Sequence, residues 1–259
     1  MPFLALPAGR LYYEVAGSGP ALLFAHGLGG NHLSWWQQVP YFSERFTCVT
    51  FAHRGFAPSS GEPDKDRFAE DLADLVDHLE LEDVALVAQS LGGLTCLQYT
   101  LRHPERVRAL VMSGTTGWID FGEDLEQVRR ETVPLATEFM KKGIHLAAGE
   151  RMAEEQPALY YLYGGLDRLS VDLDKQAVLA SLPSVRPSVE EVAELEVPIF
   201  WIFGTEDIIV APGIPGDRAA ALVKKHFPKT RLQMVAESGH SPYFERASLF
   251  NQLVDSFLR

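Results

Sequence analysis

Cysteine is scarce in this chain: two thiols, Cys48 and Cys96, stand in 259 residues. Two are too few for a disulfide framework or a cysteine-rich zinc site. Long apolar runs are missing as well, and none approaches the ~18–20 residues that a membrane span needs. The opening Met1-Pro2-Phe3-Leu4-Ala5-Leu6-Pro7 lacks a basic leader, and its apolar stretch is too short for a signal core. A soluble cytoplasmic protein is therefore expected. Positive charge is in short supply: 23 Lys and Arg face 35 Asp and Glu, a net charge of −12. A surface that acidic repels phosphate backbones and anionic lipid, so neither nucleic acid nor a membrane is an expected partner.

What remains is an ordinary globular composition. Apolar residues make up 46% and charged residues 22%, which excludes disordered and fibrous chains. A chain of this length buries a sizeable core without staples, as one large domain or one domain with an insertion. The first half alternates short apolar runs with amphipathic stretches. Leu11–Ala16 and Ala21–Ala25 flank Gly17-Ser18-Gly19-Pro20 and read as a strand pair. Phe46–Ala52, Val84–Ala88 and Val107–Met112 read as further strands. Phe68, Leu72, Leu75, Val76 and Leu79 recur at helical spacing, and a second helical stretch runs from Ser90 to about Arg102. This alternation specifies a mostly parallel central sheet flanked by helices, an α/β fold.

The middle differs. From about 116 to 187 no strand pattern is visible, and helices are expected at 123–142, 144–156 and 173–181. The β pattern then resumes at 197–203 and 231–236, with helices at 216–227 and 242–258. The expected organisation is an α/β core of residues 1–115 and 186–259, with 116–185 inserted as a helical lid over the carboxyl edge of the sheet, where open α/β folds bind ligands.

The segment that carries chemistry is Ala88-Gln89-Ser90-Leu91-Gly92-Gly93, at a strand-to-helix junction. A serine on so tight a turn is held in strained backbone angles and presents its Oγ above the sheet. The turn closes only if the residues two before and two after it are small, as Ala88 and Gly92 are. A serine that merely caps the next helix is the plainer reading of this segment alone. Ser90 needs a base, and the base needs an orienting acid. Asp207, in Gly204-Thr205-Glu206-Asp207, and His240, in Ser238-Gly239-His240, each follow a strand. A fourth segment, His26-Gly27-Leu28-Gly29-Gly30, also follows a strand. Its glycines let backbone approach a substrate, and no P-loop or G-x-G-x-x-G pattern follows to suggest phosphate binding.

Together these segments resemble the α/β-hydrolase fold superfamily over nearly the whole chain. The resemblance implies Ser90 as nucleophile, His240 as base, Asp207 as acid, and the backbone N–H groups of Leu28 and Leu91 as the oxyanion hole. It leaves Glu206 as the rival acid. Trp36 and His103-Pro104-Glu105-Arg106-Val107 add a likeness to small esterases, enol-lactonases and C–C bond hydrolases. Ser90 speaks against the haloalkane dehalogenases and epoxide hydrolases of this fold, which use aspartate there. The chain departs from the pattern Asp-x-Arg-Gly-x-Gly of many relatives: Ala52-His53-Arg54-Gly55-Phe56-Ala57 lacks the acid and the second glycine. His53 is expected to be a satisfied structural histidine.

Trp36, Phe121, Tyr160 and Tyr163 are candidates for an apolar pocket wall. Cys48 and Cys96 are expected as buried core thiols, and the acidic runs Glu62–Glu70 and Glu190–Glu196 as solvated helix faces. No metal-ligand spacing is visible, no cofactor is expected, and the expected partner is a small-molecule substrate. The sequence fixes no oligomeric state. The expected activity is hydrolysis of a small, largely uncharged ester or lactone through an acyl-enzyme. C–C bond hydrolysis or cofactor-free perhydrolysis on the same triad, and a slow-turnover small-molecule receptor, are the alternatives.

Overall fold

The computed structural model describes residues 2–141, 143–170, 172–180, 184, 186–210 and 213–259. Eight strands form one sheet: β1 (Phe3–Leu6), β2 (Gly9–Ala16), β3 (Ala21–Ala25), β4 (Thr47–Ala52), β5 (Val84–Gln89), β6 (Val107–Ser113), β7 (Ile199–Gly204) and β8 (Arg231–Val235). Their order across the sheet is β1-β2-β4-β3-β5-β6-β7-β8. β1 and β2, and β2 and β4, pair antiparallel; every later pair is parallel.

Among the described residues eleven α-helices accompany the sheet. Before β7 come α1 (Val39–Phe42), α2 (Phe68–His78), α3 (Leu91–Arg102), α4 (Glu123–Lys141), α5 (Glu150–Glu155), α6 (Pro157–Asp167), α7 (Lys175–Ala180) and α8 (Val189–Ala193). After it come α9 (Gly216–His226), α10 (Pro242–Glu245) and α11 (Ala247–Leu258).

The inner strands are apolar on both faces because both are covered. Alternate residues point to opposite sides. Leu23, Leu86, Leu110 and Phe203 pack with α2, α3 and α9. Leu22, Phe24, Val87 and Ile202 pack with Trp35, Tyr243 and α11. The last strand, β8, is largely exposed, as a sheet edge is. Cys48 and Cys96 are buried free thiols, and burial pushes Cys48 up to about 12.

Several expectations need correction. The segments Leu11–Ala16 and Ala21–Ala25 are strands but not a pair, since β4 lies between them. The turn joining them packs on the start of β4: the Thr47 amide donates to the Pro20 carbonyl oxygen at 3.1 Å and the Thr47 hydroxyl to that of Gly19 at 2.8 Å. The helix expected at 144–156 begins only at Glu150, after Gly149 at φ 66°. Pro157 then starts α6, which the sequence reading left out; proline suits a first helical position. The closing helix breaks at Arg246, which is not helical at φ −129° and ψ 47°. Two acidic runs are helix faces only in part: α2 starts at Phe68, so residues 62–67 precede it, and α8 ends at Ala193, so residues 194–196 follow it. The outermost residues of two expected helices, 142 and 181, lie outside the described residues. Among the described residues no helix is long and apolar enough to cross a membrane.

Candidate active site

β3, β5, β7 and β8 run parallel, so their carboxyl ends open on one edge of the sheet. At the end of β5 the chain turns sharply into α3. Ser90, the turn residue, sits at φ 49° and ψ −116°, a region that non-glycine residues occupy only under tertiary constraint. Its amide donates to the Ser113 carbonyl oxygen at 2.9 Å, and its carbonyl accepts from the Gly93 amide at 2.9 Å. The turn demands a small residue at 92: a Cβ there would collide with the Ala25 carbonyl oxygen of neighbouring β3. Ser90 is half-buried and lines a cavity of about 480 Å³.

His240 follows β8 and lines the same cavity. Its Nδ1 lies 2.9 Å from Asp207 Oδ2, and both residues are buried. The contact assigns the Nδ1–H tautomer, with Nδ1–H donating to the carboxylate. Asp207 is itself held, since its Oδ1 accepts the Ile209 amide at 2.8 Å. Glu206 is turned elsewhere, accepting from Arg151 Nε and Nη2 at 3.0 and 2.9 Å. The structure thus places Asp207, not Glu206, against the histidine.

The loop after β3 comes close to the elbow. A Cβ at Gly27 would collide with the Gln89 side chain and lie 3.0 Å from Ser90 Cβ. Leu28 and Leu91 both line the cavity. The histidine that begins this loop is structural in its contacts. His26 Nδ1 lies 2.7 Å from the Gly27 carbonyl oxygen, and its Nε2 accepts the His53 amide at 2.9 Å. His53 Nδ1 is 3.0 Å from His26 Nε2, and His53 Nε2 is 2.9 Å from the Thr95 hydroxyl. One consistent assignment has Nδ1–H on both rings and Thr95 donating to His53. Burial holds His26 down to about 4 and His53 well below the usual histidine range, so both rings are neutral. Next along the chain, Arg54 forms a buried two-point pair with Asp71 of α2, Nε to Oδ2 at 2.6 Å and Nη2 with Oδ1. This pair fastens the segment that departs from the Asp-x-Arg-Gly-x-Gly pattern.

Of the four candidate wall aromatics, Tyr163 lines the cavity, with its hydroxyl 3.1 Å from the Ser241 hydroxyl. Tyr160 stands behind the wall, its hydroxyl accepting the His145 amide at 3.2 Å. Trp36 is 44% exposed and lies edge-on to Phe244, outside the cavity. Phe121 is core, packed on His226 and Phe227. Trp118, which the sequence reading passed over, lines the cavity at φ 60°.

Glu245 also escaped notice. It is buried in α10, and its Oε2 accepts the Gly239 amide at 2.9 Å while its Oε1 accepts the Ser241 amide at 3.2 Å. One carboxylate therefore clamps the backbone on both sides of His240. Burial pushes Glu245 up to about 7 against those two hydrogen bonds. Its sole trace in the sequence is an acid five residues after the histidine. Among the described residues no cluster of His, Cys, Asp or Glu is arranged to hold a metal ion.

A serine on a strained elbow and an Asp–His pair, on loops at the carboxyl edge of one sheet, define a protein of the α/β-hydrolase class. The sequence profile described as the alpha/beta hydrolase fold matches residues 20–149, and the chain belongs to that family. It is 28% identical to a Bacillus subtilis (strain 168) protein provisionally named a 2-succinyl-6-hydroxy-2,4-cyclohexadiene-1-carboxylate synthase, over 95% of this chain and 94% of that one. It is 26% identical to 3-oxoadipate enol-lactonase 2 of Acinetobacter baylyi, over 93% of this chain and 89% of the relative. A thermophilic esterase from Thermogutta terrifontis superposes with a TM-score of 0.78 at 21% identity, over 100% of this chain and 98% of that one.

Proposed function

We propose that this protein is a serine hydrolase that cleaves a small carboxylic ester or lactone through an acyl-enzyme. The observation that carries the reading is Ser90 in the strained turn, sharing one cavity with a His240 held by Asp207. In this mechanism Ser90 Oγ attacks the carbonyl carbon and His240 Nε2 takes its proton. Asp207 keeps the proton on Nδ1 and balances the imidazolium that forms. The N–H groups of Leu28 and Leu91 receive the oxyanion, a contribution worth roughly 10²–10³ in rate for a single donor. His240 returns the proton to the leaving alkoxide. It then activates water, whose attack on the acyl carbon releases the acid and restores Ser90. No cofactor enters the scheme. The helices between β6 and β7, residues 116–185, act as a cap that closes the cavity against water.

The enol-lactonase relative and the esterase neighbour support this chemistry. The relative named a synthase favours a second reading, in which the same Ser–His–Asp group works on a bond other than an ester. Exposure to a serine-reactive fluorophosphonate tests the first reading. Wild type gains one adduct on the peptide that contains Ser90 and hydrolyses p-nitrophenyl butyrate; Ser90→Ala gains no adduct and loses turnover by at least about 10³-fold. A Ser90→Ala protein that retains full turnover overturns it.

A further inference from the structure

The lining of the cavity around Ser90 falls into two groups. Leu28, Leu91, Trp118 and Val178 belong to one apolar cluster. His145, Tyr163, Asp167 and Lys175 make a polar group, drawn from the segment before α5, from α6 and from the start of α7. The polar group lies on the side of His240. Ser241, the next residue, has its hydroxyl 3.1 Å from that of Tyr163 and donates to the Ala147 carbonyl oxygen at 2.9 Å. Gly29 forms the floor beneath it: a Cβ there would lie 2.6 Å from Asp167 Oδ1 and 3.9 Å from the Tyr163 hydroxyl oxygen. The Asp167 carboxylate therefore stands one residue along the chain from Leu28.

Within the polar group the charges balance and the protons can be assigned. Lys175 Nζ donates to the Asp167 carbonyl oxygen at 2.6 Å and lies 2.8 Å from its Oδ1. Burial would raise the Asp167 carboxyl, but His145 and Lys175 hold it below the usual carboxylate range. The pair is thus an ammonium and a carboxylate with no net charge. The Ala147 amide donates to His145 Nδ1 at 3.2 Å, so that nitrogen is unprotonated and Nε2 carries the proton of the ring. His145 is held in place: its amide donates to the Tyr160 hydroxyl at 3.2 Å, and its ring stands edge-on to Tyr163. Its Nε2 lies 3.8 Å from Asp167 Oδ1. That gap is too long for a hydrogen bond and short enough for one oxygen atom to reach both sides. An oxygen seated there accepts from Nε2–H and donates to the carboxylate, which a hydroxyl does and an ether, a carbonyl or a methyl group does not.

We propose that the leaving alcohol of the substrate carries a second hydroxyl, and that His145 and Asp167 together receive it. The inference rests on the hydrolase reading of Ser90 and narrows its substrate to the monoester of a diol or polyol. His240 protonates the departing alkoxide, so the alcohol half lies toward His240 and the polar group, and the acyl half is left to the apolar cluster. Because Lys175 already balances Asp167, a neutral hydroxyl suits the site better than an ammonium or a carboxylate. His145 and Asp167 then determine specificity and take no part in bond breaking. A site that bonds a hydroxyl through both a donor and an acceptor rejects an alkyl group of the same size, which leaves both polar groups unpaired.

The test compares butanoate esters whose alcohols match in size and differ in the terminal group: hydroxyethyl against propyl, hydroxypropyl against butyl, and hydroxybutyl against pentyl. Acid release by wild type gives kcat/KM, and calorimetric titration of the same esters into Ser90→Ala gives Kd. Wild type is expected to favour the hydroxyl ester by about 10-fold or more in at least one pair, mainly through KM, and Ser90→Ala is expected to show the same preference in Kd. His145→Phe, which keeps a ring and loses the N–H, brings the ratio toward one; His145→Gln, which presents an amide N–H there, restores much of it. If His145→Phe is poorly folded, the wild-type preference and the His145→Gln variant decide. Ser90-dependent turnover with no hydroxyl preference in any pair, or with the ratio unchanged in His145→Phe, overturns the inference and leaves the hydrolase reading standing. A preference for butyrylcholine over every hydroxyl ester overturns it as well, because the site would then select a cation. Hydroxyl-selective binding to Ser90→Ala without turnover of any ester by wild type supports the site and overturns the hydrolase reading instead.

Discussion

Three residues define the candidate site, but a fourth sets how well the base is held. His240 sits on a short loop after β8, and its orientation depends on the amides of Gly239 and Ser241, both captured by Glu245. Glutamine at 245 keeps the shape but presents an NH₂ to one of two amide donors, leaving that donor unsatisfied at a cost of about 1–3 kcal/mol. Glu245→Gln is expected to lower kcat for p-nitrophenyl butyrate by about 10-fold while KM moves less than about threefold. Steady-state kinetics on folded, active-site-titrated protein checks this. A loss of thermal stability with kcat unchanged would reduce Glu245 to a purely structural role. At this scale the sequence was legible for Ser90, Asp207 and His240, because each stands in a local pattern that its chemistry requires. Glu245 and Trp118 were not legible, because their places come from contacts across the fold.

Elements meet at the His26–His53 contact, which ties the end of β3 to the end of β4. Both rings are buried and neutral, and this makes the junction sensitive to acid. In the unfolded chain a histidine takes up a proton near pH 6.5; in the folded protein His26 does so only at about 4 and His53 lower still. The unfolded state therefore binds more protons as pH falls from about 6.5. The stability that is complete above that pH is lost progressively toward pH 4, by up to about 1.4 kcal/mol per pH unit for each histidine. Glu245, held up to about 7, works in the opposite direction over the same window, so the informative quantity is a difference. Urea midpoints between pH 7 and 4.5 are expected to fall less steeply in His53→Gln than in wild type. Parallel slopes would mean that His53 is not held neutral. Element boundaries were legible where a periodic pattern met a clear stop, as in α2, α3 and the strands of the inner sheet. The reading failed at Leu11–Ala25, because alternation and a glycine turn describe a hairpin and a strand crossing alike. It failed again at 144–167: the helix expected at 144–156 starts only after Gly149, and a further helix begun by Pro157 was not expected at all.

The whole molecule brings together segments that the chain keeps far apart. Asp207 lies 117 residues beyond Ser90 (207 − 90), yet both belong to the carboxyl edge of one parallel sheet. Strand-then-loop order was enough to anticipate that convergence, because parallel strands joined by crossovers all end on the same side. The charge of the cavity was beyond such reasoning. Its cations come from the turn before α2, from α4 and from α7, and an overall charge of −12 gave the opposite impression. The central claim is that these distant segments assemble a nucleophile that forms an acyl-enzyme. Stopped-flow hydrolysis of p-nitrophenyl acetate and butyrate, on wild type and Ser90→Ala, tests it most directly. The account predicts a burst of about one p-nitrophenolate per chain in wild type, followed by steady turnover, and neither in the variant. A burst or steady rate in Ser90→Ala equal to that of wild type would contradict it.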